Sequence, residues 1–443
     1  MNKYKNKKVA VLGYGIEGAD TEKYMKREGA VITILDKKLE YSHSNDKNYL
    51  ANLERFDVIV RSAGVYRFLP EITQAEHAGV KITSAIKIFF ENCPGKIIGV
   101  TGTKGKGTTS TLISEILKAD KRKVYLAGNI GKPYLELLPL LKKNSIVVLE
   151  LSSFQLIDMN VSPHIAVVLN ITSDHLNWHK DVEEYISAKR NIVKYQKSTD
   201  FAVINADYEI PKSFAGETKG KVVLFSKSQF TNGCFVENGD LTYMKDDKKV
   251  VLGKSHWLLL RGEHNLENVT AAVSVAVSLG VDEEVIKKVI FSFAGLEHRL
   301  ELVGSFGGIS FYNDSFATGP QPTIAAIRSF EEPETLILGG SDKNLDFTEL
   351  GEVIAKKKNV ECIVLIGHVA EKIKKALKDA NYKGKLIEMG KKSMDKIVQE
   401  AFSNTPKGGV VLLSPGAASF DMFKDYKDRG NKFKTVVEDL KNG

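Results

Sequence analysis

The sequence predicts an α/β protein of three domains with mainly parallel sheets. Short apolar runs bounded by turn residues alternate with helical stretches from one end to the other, the pattern of α/β units. At 443 residues the chain is longer than one hydrophobic core usually organises. Two glycine-rich turns follow apolar runs, where open α/β sheets receive their ligands.

The first unit holds the runs Val9 to Leu12, Val31 to Leu35 and Val58 to Val60 and closes near Asn92-Cys93-Pro94-Gly95, which gives a domain of residues 1–93. The second, residues 94–297, begins with the run Lys96 to Val100 and has strand candidates at Ile146 to Leu149, Ile165 to Leu169 and Ala202 to Ile204. Its segment Val222 to Leu260, with alternating residues and the turn Asn238-Gly239-Asp240, reads as a small antiparallel appendage, and a helix follows at Asn265 to Leu279. The third, residues 298–443, starts around Glu297-His298-Arg299, with strand candidates Ile309 to Tyr312, Thr335 to Leu338, Cys362 to Ile366 and Val410 to Leu413. There is no internal repeat.

Hydrophobic residues make up 43% and charged ones 27%, too apolar for a disordered chain and too interrupted for a membrane one. The basic start resembles a signal-peptide flank, but Glu17 and Asp20 break the apolar stretch, which reads as a strand. Cys93, Cys234 and Cys362 are far apart and give neither a disulfide framework nor a metal-ligand spacing. A cytoplasmic location is expected. The net charge of +8 is spread over lysines with acidic neighbours, a solvated surface without a nucleic-acid signature, though it would suit an anionic nucleotide.

The strongest local signal is Gly102-Thr103-Lys104-Gly105-Lys106-Gly107-Thr108-Thr109, between a strand and the helical stretch Thr109 to Lys118. Such a loop aims backbone N–H groups and a helix N-terminus at phosphate oxygens, with Lys106 as a point charge at the terminal phosphates. The generic phosphate loop has a hydroxyl residue directly after its lysine. Here Gly107 stands there, which leaves Thr108 as the nearest hydroxyl for Mg²⁺ or phosphate. The competing reading is a glycine-rich turn with a chance lysine.

Ligands of open α/β sheets bind at the carboxyl ends of the strands. Glu150 follows the run Ile146 to Leu149, and Asp174-His175 follow Ile165 to Asn170 after a short turn, so both are expected on the rim that carries the phosphate loop. A carboxylate and an imidazole there are candidate Mg²⁺ ligands, since Mg²⁺ takes few protein ligands and shares the substrate's oxygens. Taken singly, Glu150 also reads as a surface acid and His175 as a satisfied polar residue. Near the start, Gly13-Tyr14-Gly15-Ile16-Glu17-Gly18 matches the dinucleotide fingerprint, with Asp36 at the end of the next strand. The fingerprint does not separate NAD from another nucleotide diphosphate, and a tight packing turn is its bland alternative.

Read in order, GVTGTKGKGTT, AGNIGKP, LELSSFQL, LNITSDHLNWH, YISAKRNI, GEHNLENVTAA, GLEHRLELV, YNDSFAT, LGGSDKNLDF and LLSPGAASFDMFKDYKDRGNKF resemble the Mur ligase family from Gly13 to Phe433. The resemblance implies a Rossmann-like first domain for a UDP moiety, a central phosphate-loop ATPase-like domain, and a Rossmann-like last domain for an incoming amino acid. It implies ATP-dependent amide formation in peptidoglycan precursor synthesis, with UDP-N-acetylmuramoyl-L-alanine and D-glutamate as partners and a monomer as the working form. Neither nucleic acid nor membrane insertion is expected.

Carried onto this chain, Gly13, Tyr14, Gly15, Ile16 and Asp36 serve the nucleotide sugar, with Asn129, Ser152 and Gln155 also on the substrate side. Residues Gly102 to Thr108 hold ATP phosphates and Asn268 lies near adenine. Arg299 points towards phosphate and Asp314 towards ribose. Lys343, Ser419 and Tyr426 hold the D-glutamate carboxylates, Tyr426 standing where phenylalanine is usual. The catalytic set is Lys106, His175, Lys189 and Arg299. Metal ligands are Thr108, Glu150, His175 and Lys189, the last as a carbamate that helps hold a second Mg²⁺, because the CO₂ adduct is an anion where the free ammonium would repel metal. An ordinary helix-surface lysine is the alternative for Lys189.

Two positions depart from the family's Asn-Asp-Ser-Lys-Ala-Thr-Asn pattern: Phe316 replaces the lysine and Gly319 the final asparagine. A cation is thereby missing. Either another basic residue substitutes, with Lys104 a candidate from the loop side, or the chain is a divergent member. Gly107 is similar to the loop of folylpolyglutamate synthases, related ligases that add glutamate to folate, but those lack a separate N-terminal UDP domain. A catalytically silent nucleotide sensor is the third possibility, opposed by the retained Lys106, Glu150, His175, Lys189, Arg299 and Lys343.

Overall fold

The computed structural model describes residues 3–38, 40, 48–128, 133–172 and 178–442. They form two compact units, Met1–Trp257 with Leu266–Phe291, and Leu258–Asn265 with Ser292–Gly443.

The first unit contains three sheets. The N-terminal one is all parallel, built from β1 (Lys8–Leu12), β2 (Val31–Leu35), β3 (Val58–Arg61) and β4 (Lys81–Ser84) in the order β2-β1-β3-β4. The helix Ile16–Arg27 leaves β1 through the glycine turn. Next come β5 (Lys96–Thr101), β6 (Val124–Gly128), β7 (Ile146–Glu150), β8 (Ile165–Val168), β9 (Phe201–Asn205) and β10 (Lys221–Phe225), again all parallel, in the order β10-β9-β8-β5-β7-β6. β7 and β8 have every residue buried, so both faces are covered and the strands read as continuous apolar runs. Three antiparallel strands, β11 (Cys234–Glu237), β12 (Asp240–Lys245) and β13 (Lys248–Lys254), make the appendage.

The appendage is smaller than the stretch Val222 to Leu260 expected from alternation. Lys221–Phe225 is a parallel edge strand of the central sheet, and Ser255–Trp257 is a short 3-10 turn. Its apolar residues Val222 to Leu224 are half-buried, as at a sheet edge, and a short apolar run does not tell a parallel edge strand from an antiparallel one. All three cysteines are free.

The second unit has one mixed sheet in the order β14-β15-β19-β16-β17-β18: β14 (Glu301–Phe306), β15 (Ile309–Asn313), β16 (Glu334–Gly339), β17 (Val360–Ile366), β18 (Lys385–Gly390) and β19 (Val410–Leu413). Only the β14–β15 hairpin is antiparallel. Apolar clusters lie on both faces, one including Ile324, Phe330, Leu350 and Ile373, the other Phe311, Ile397, Val398 and Phe433. Among the described residues no helix is long and apolar enough to cross a membrane.

Candidate nucleotide site

The phosphate loop leaves β5 and turns into the helix Lys106–Ala119. Parallel pairing sets Val100 beside Glu150 and Thr101 beside Val168, so the ends of β5, β7 and β8 form one rim. Glu150 closes β7 there and is buried, not a surface acid. Thr108 is buried in the first turn of the helix. Asp174, His175 and Asn129 lie outside the described residues.

The loop is held by its neighbours. The Thr103 amide donates to the Asn170 carbonyl at 2.7 Å and the Lys104 amide to Asn170 Oδ1 at 3.0 Å. Lys106 folds back, its ammonium donating to the carbonyls of Gly102 and Thr103, each at 3.0 Å. Gly105 has φ +84°, and a Cβ there would collide with Oδ1 of Asn268. That amide oxygen accepts from Thr109 Oγ1 at 3.1 Å, so Asn268, on the helix Glu263–Ser278, is buried behind the loop.

Lys189 lies on the helix Val182–Lys194 and is only 2% exposed, which removes the helix-surface alternative. Its ammonium donates to the Gly102 carbonyl at 3.0 Å and Thr101 Oγ1 at 3.4 Å, and it lies 4.8 Å from the ring centroid of Tyr185. Tyr185 in turn shares a hydrogen bond with Thr103 Oγ1 at 2.9 Å. The sequence reading passed over Tyr185 and Asn170, although YISAKRNI puts Tyr185 four residues before Lys189, on one helix face. It also passed over buried Glu267, which meets Lys227 at 2.8 Å, Tyr208 Oη at 2.7 Å and Asn205 Nδ2 at 3.2 Å. Its adjacency to Asn268 was the available signal.

In the N-terminal sheet the glycine turn packs as the fingerprint requires, since a Cβ on Gly18 would collide with the Gly13 carbonyl. Asp36 accepts from the amides of Tyr14 at 2.6 Å and Lys38 at 2.7 Å, while Gly15 is the helix N-cap and Ile16 is largely exposed. Glu17 is half-buried, accepting from the Ala63 amide at 2.6 Å and from the Tyr134 hydroxyl, and desolvation pushes its carboxyl up. Arg61 is fully buried and donates to the carbonyls of Val65 at 2.7 Å and Phe154 at 3.0 Å and to Asp158 Oδ1 at 3.2 Å. Ser152 and Gln155 form a reciprocal capping box that fixes the turn after Glu150, with bonds of 3.3 and 3.0 Å.

In the other unit Arg299 sits between two non-glycine residues in the left-handed region, His298 at φ 64° and Leu300 at φ 46°. Glu301 accepts from the His298 amide at 2.9 Å and Asp314 from the Leu300 amide at 3.2 Å, which holds this strained turn. Asp314 is buried, and burial raises its carboxyl to about 7 against the hydrogen bonds from Ser414 Oγ and the Leu300 amide and the charges of Arg299 and Arg429. The Arg299 guanidinium lies 3.9 Å from the ring centroid of Phe316. Tyr426 begins the last helix and meets Phe316 edge-on. Lys343 lies 5.4 Å from the ring of Phe420, and buried Ser419 follows the strand bridge Ser341–Ala418, so these two candidates come from adjoining segments. Gly319 is the N-cap of the helix Pro320–Ile327.

The donor set at the first rim fits a hard divalent cation: a buried carboxylate, and a hydroxyl in the first turn of the helix that the loop leads into. Fold and site together define a nucleotide-binding α/β protein with a phosphate loop. Residues 100–276 match the Mur ligase middle domain and residues 298–416 the Mur ligase, glutamate ligase domain. A UDP-N-acetylmuramoylalanine--D-glutamate ligase from Acetivibrio thermocellus is 43% identical, with 99% of this chain and 97% of the relative covered. Its namesake from Ruminiclostridium cellulolyticum is 37% identical over the same shares. Among solved structures, a UDP-N-acetylmuramate-alanine ligase from Thermotoga maritima (TM-score 0.60, 18% identity, covering 98% of this chain and 100% of that one) has the same fold. So has a pseudomurein peptide ligase type C from Methanothermus fervidus, with TM-score 0.60, 17% identity and the same coverage. The chain belongs to the Mur ligase family.

Proposed function

We propose that this chain is an ATP-dependent, ADP-forming ligase that joins D-glutamate to UDP-N-acetylmuramoyl-L-alanine in peptidoglycan precursor synthesis. The observation that carries it is near-full-length similarity to ligases of that name, on a chain whose phosphate loop, Glu150 and Lys189 share one rim. The working division is residues 1–93 for the UDP substrate, 94–297 for ATP and 298–443 for the amino acid.

A carboxylate oxygen of the acceptor attacks the γ-phosphorus of ATP, and the bond to the β-bridging oxygen breaks, giving an acyl phosphate and ADP. The neutral amine of D-glutamate then attacks the acyl carbon. The tetrahedral intermediate loses its phosphate, and the amine proton leaves with solvent. Catalysis here is positioning and charge neutralisation. Loop amides and Lys106 hold the β- and γ-phosphates, Arg299 faces phosphate, and Asp314 accepts from ribose. Lys343, Ser419 and Tyr426 hold the amino acid. Thr108, Glu150 and His175 would hold Mg²⁺, which supplies charge neutralisation at the phosphates when bound. Lys189, as a carbamate, would serve a second ion, and its burial beside the loop, with Nζ 3.0 Å from the Gly102 carbonyl, supports that reading.

The test is Lys106→Ala. Phosphate release should be abolished while UDP-N-acetylmuramoyl-L-alanine still binds; near-normal turnover would overturn the assignment. A panel of D- and L-amino acids fixes the specificity, and turnover only with folate and L-glutamate would select the folate ligases instead.

A further inference from the structure

Two of the three third-domain departures, far apart in sequence, are in contact. Phe316, in place of the family's lysine, and Tyr426, in place of its phenylalanine, meet at 5.0 Å with planes at 90°. Tyr426 turns its other side to His298, 5.9 Å away at 86°. The Phe316 ring also carries the Arg299 guanidinium, 3.9 Å from its centroid. Four side chains, His298, Tyr426, Phe316 and Arg299, thus make one chain of contacts, edge-on between the rings, that begins and ends in the same strained turn.

The backbone reinforces it. The Phe316 amide donates to the His298 carbonyl at 3.0 Å, so the ring-bearing segment is tied to the turn that presents Arg299. Ser315 Oγ donates to the Tyr426 carbonyl at 2.8 Å, and buried Arg429 donates to Ser315 Oγ and to the Ser315 carbonyl, each at 2.9 Å. Phe316 itself is 39% exposed, so core burial does not account for a phenylalanine there. An aromatic face beside a guanidinium is attractive, and stacking removes rotamer freedom from a long side chain.

We propose that Phe316 is a positioning residue for Arg299: the chain has lost one cation and instead fixes the orientation of the remaining one by holding it on an aromatic platform that Tyr426 braces. This rests on the reading that Arg299 faces ATP phosphate. A lysine restored at 316 would remove the platform and set a like charge against Arg299.

The experiment measures ADP release by the full-length enzyme with its natural substrates for Phe316→Leu, Phe316→Tyr, Phe316→Lys, Arg299→Ala and the Phe316→Leu/Arg299→Ala double variant. For Phe316→Leu, kcat/KM for ATP should fall roughly two- to thirty-fold, the range a stacked cation spans. KM for D-glutamate and the melting temperature should stay put, Phe316→Tyr should restore activity, and Phe316→Lys should be impaired. In the Arg299→Ala background Phe316→Leu should add nothing. Wild-type kinetics in Phe316→Leu or Phe316→Lys, or a full additional loss in the double variant, would overturn the platform while leaving Arg299 in place. An Arg299→Ala enzyme with normal kcat/KM for ATP would instead remove the ATP-site reading, and the proposal with it.

Discussion

Ser414→Ala is the most informative single change, because the hydroxyl it removes meets one ionisable group, Asp314, and otherwise only the neutral Thr323 Oγ1 at 3.1 Å. Ser414 Oγ donates to Asp314 Oδ2 at 2.7 Å inside the second unit, and the Asp314 carboxyl is raised by burial to about 7. A hydrogen bond to a charged group contributes about 1.5–3 kcal/mol, and about 1.4 kcal/mol moves a pKa by one unit, so the carboxyl should rise a further unit or two. If Asp314 must be ionised to accept from ribose, the acid limb of kcat/KM for ATP has its midpoint near 7 in the parent and about 8–9 in the variant. The proton linkage has the same sign for stability. A carboxyl raised above its ordinary 3.8 lets the folded state bind more protons than the unfolded one, so stability falls as pH rises from about 4 through the folded pKa, and the variant carries that fall to higher pH. The assay is ADP release against ATP concentration over a pH series at saturating D-glutamate. An acid limb that stays put, or moves to lower pH, would refute both the ionisation of Asp314 and its place at the nucleotide.

Gly105→Ala should cut ADP formation by about tenfold or more, since a left-handed φ of +84° and the collision with Asn268 both distort the loop; an unchanged KM for ATP would show that the loop tolerates a side chain. If Lys189 works as a carbamate, activity should fall in CO₂-depleted buffer and recover with bicarbonate, whereas density ending at Nζ in a CO₂-replete, Mg²⁺-bound crystal would count against it. Glu334 is fully buried, neither carboxylate oxygen meets a partner among the described residues, and burial raises it to about 9 despite Lys357, with Glu332 and Glu331 adding to the rise. The folded state therefore loses stability as pH climbs from the ordinary 4.5 towards 9, and Glu334→Gln should recover up to about 3 kcal/mol at pH 7 and almost nothing near pH 4.5, read from denaturant melts at the two pH values. A pH-independent effect would be the wrong answer.

The sequence showed the central strands and hid four of the edge strands. Strands β5, β7, β8, β16 and β19 lie inside their sheets and read as unbroken apolar runs. The four strands passed over, KITS, VYLAG, ELVGSF and KLIEMG, each lie at an edge, where one side is solvated and the apolar signal is diluted. The rim followed from strand ends, which is why Lys106 and Glu150 fell together. The burial of Lys189 did not, because a helix position says nothing of which face is covered until the neighbouring strands are placed. The contacts of Phe316 were equally out of reach, since Tyr426 comes from more than a hundred residues further along.

The fully buried Arg61 bears on how this chain could be recombined with its relatives. Its guanidinium, carried by the last residue of β3, finds one acceptor nearby in the Val65 carbonyl, but its other nitrogen donates to groups beyond residue 150, the Phe154 carbonyl and Asp158. A cut placed after residue 93 would separate this buried cation from those two downstream acceptors and leave one of its nitrogens unmatched. Chimeras that swap the leading segment should therefore survive only when the recipient offers a matching carbonyl and acid, so compatibility between parents is decided far downstream of the splice.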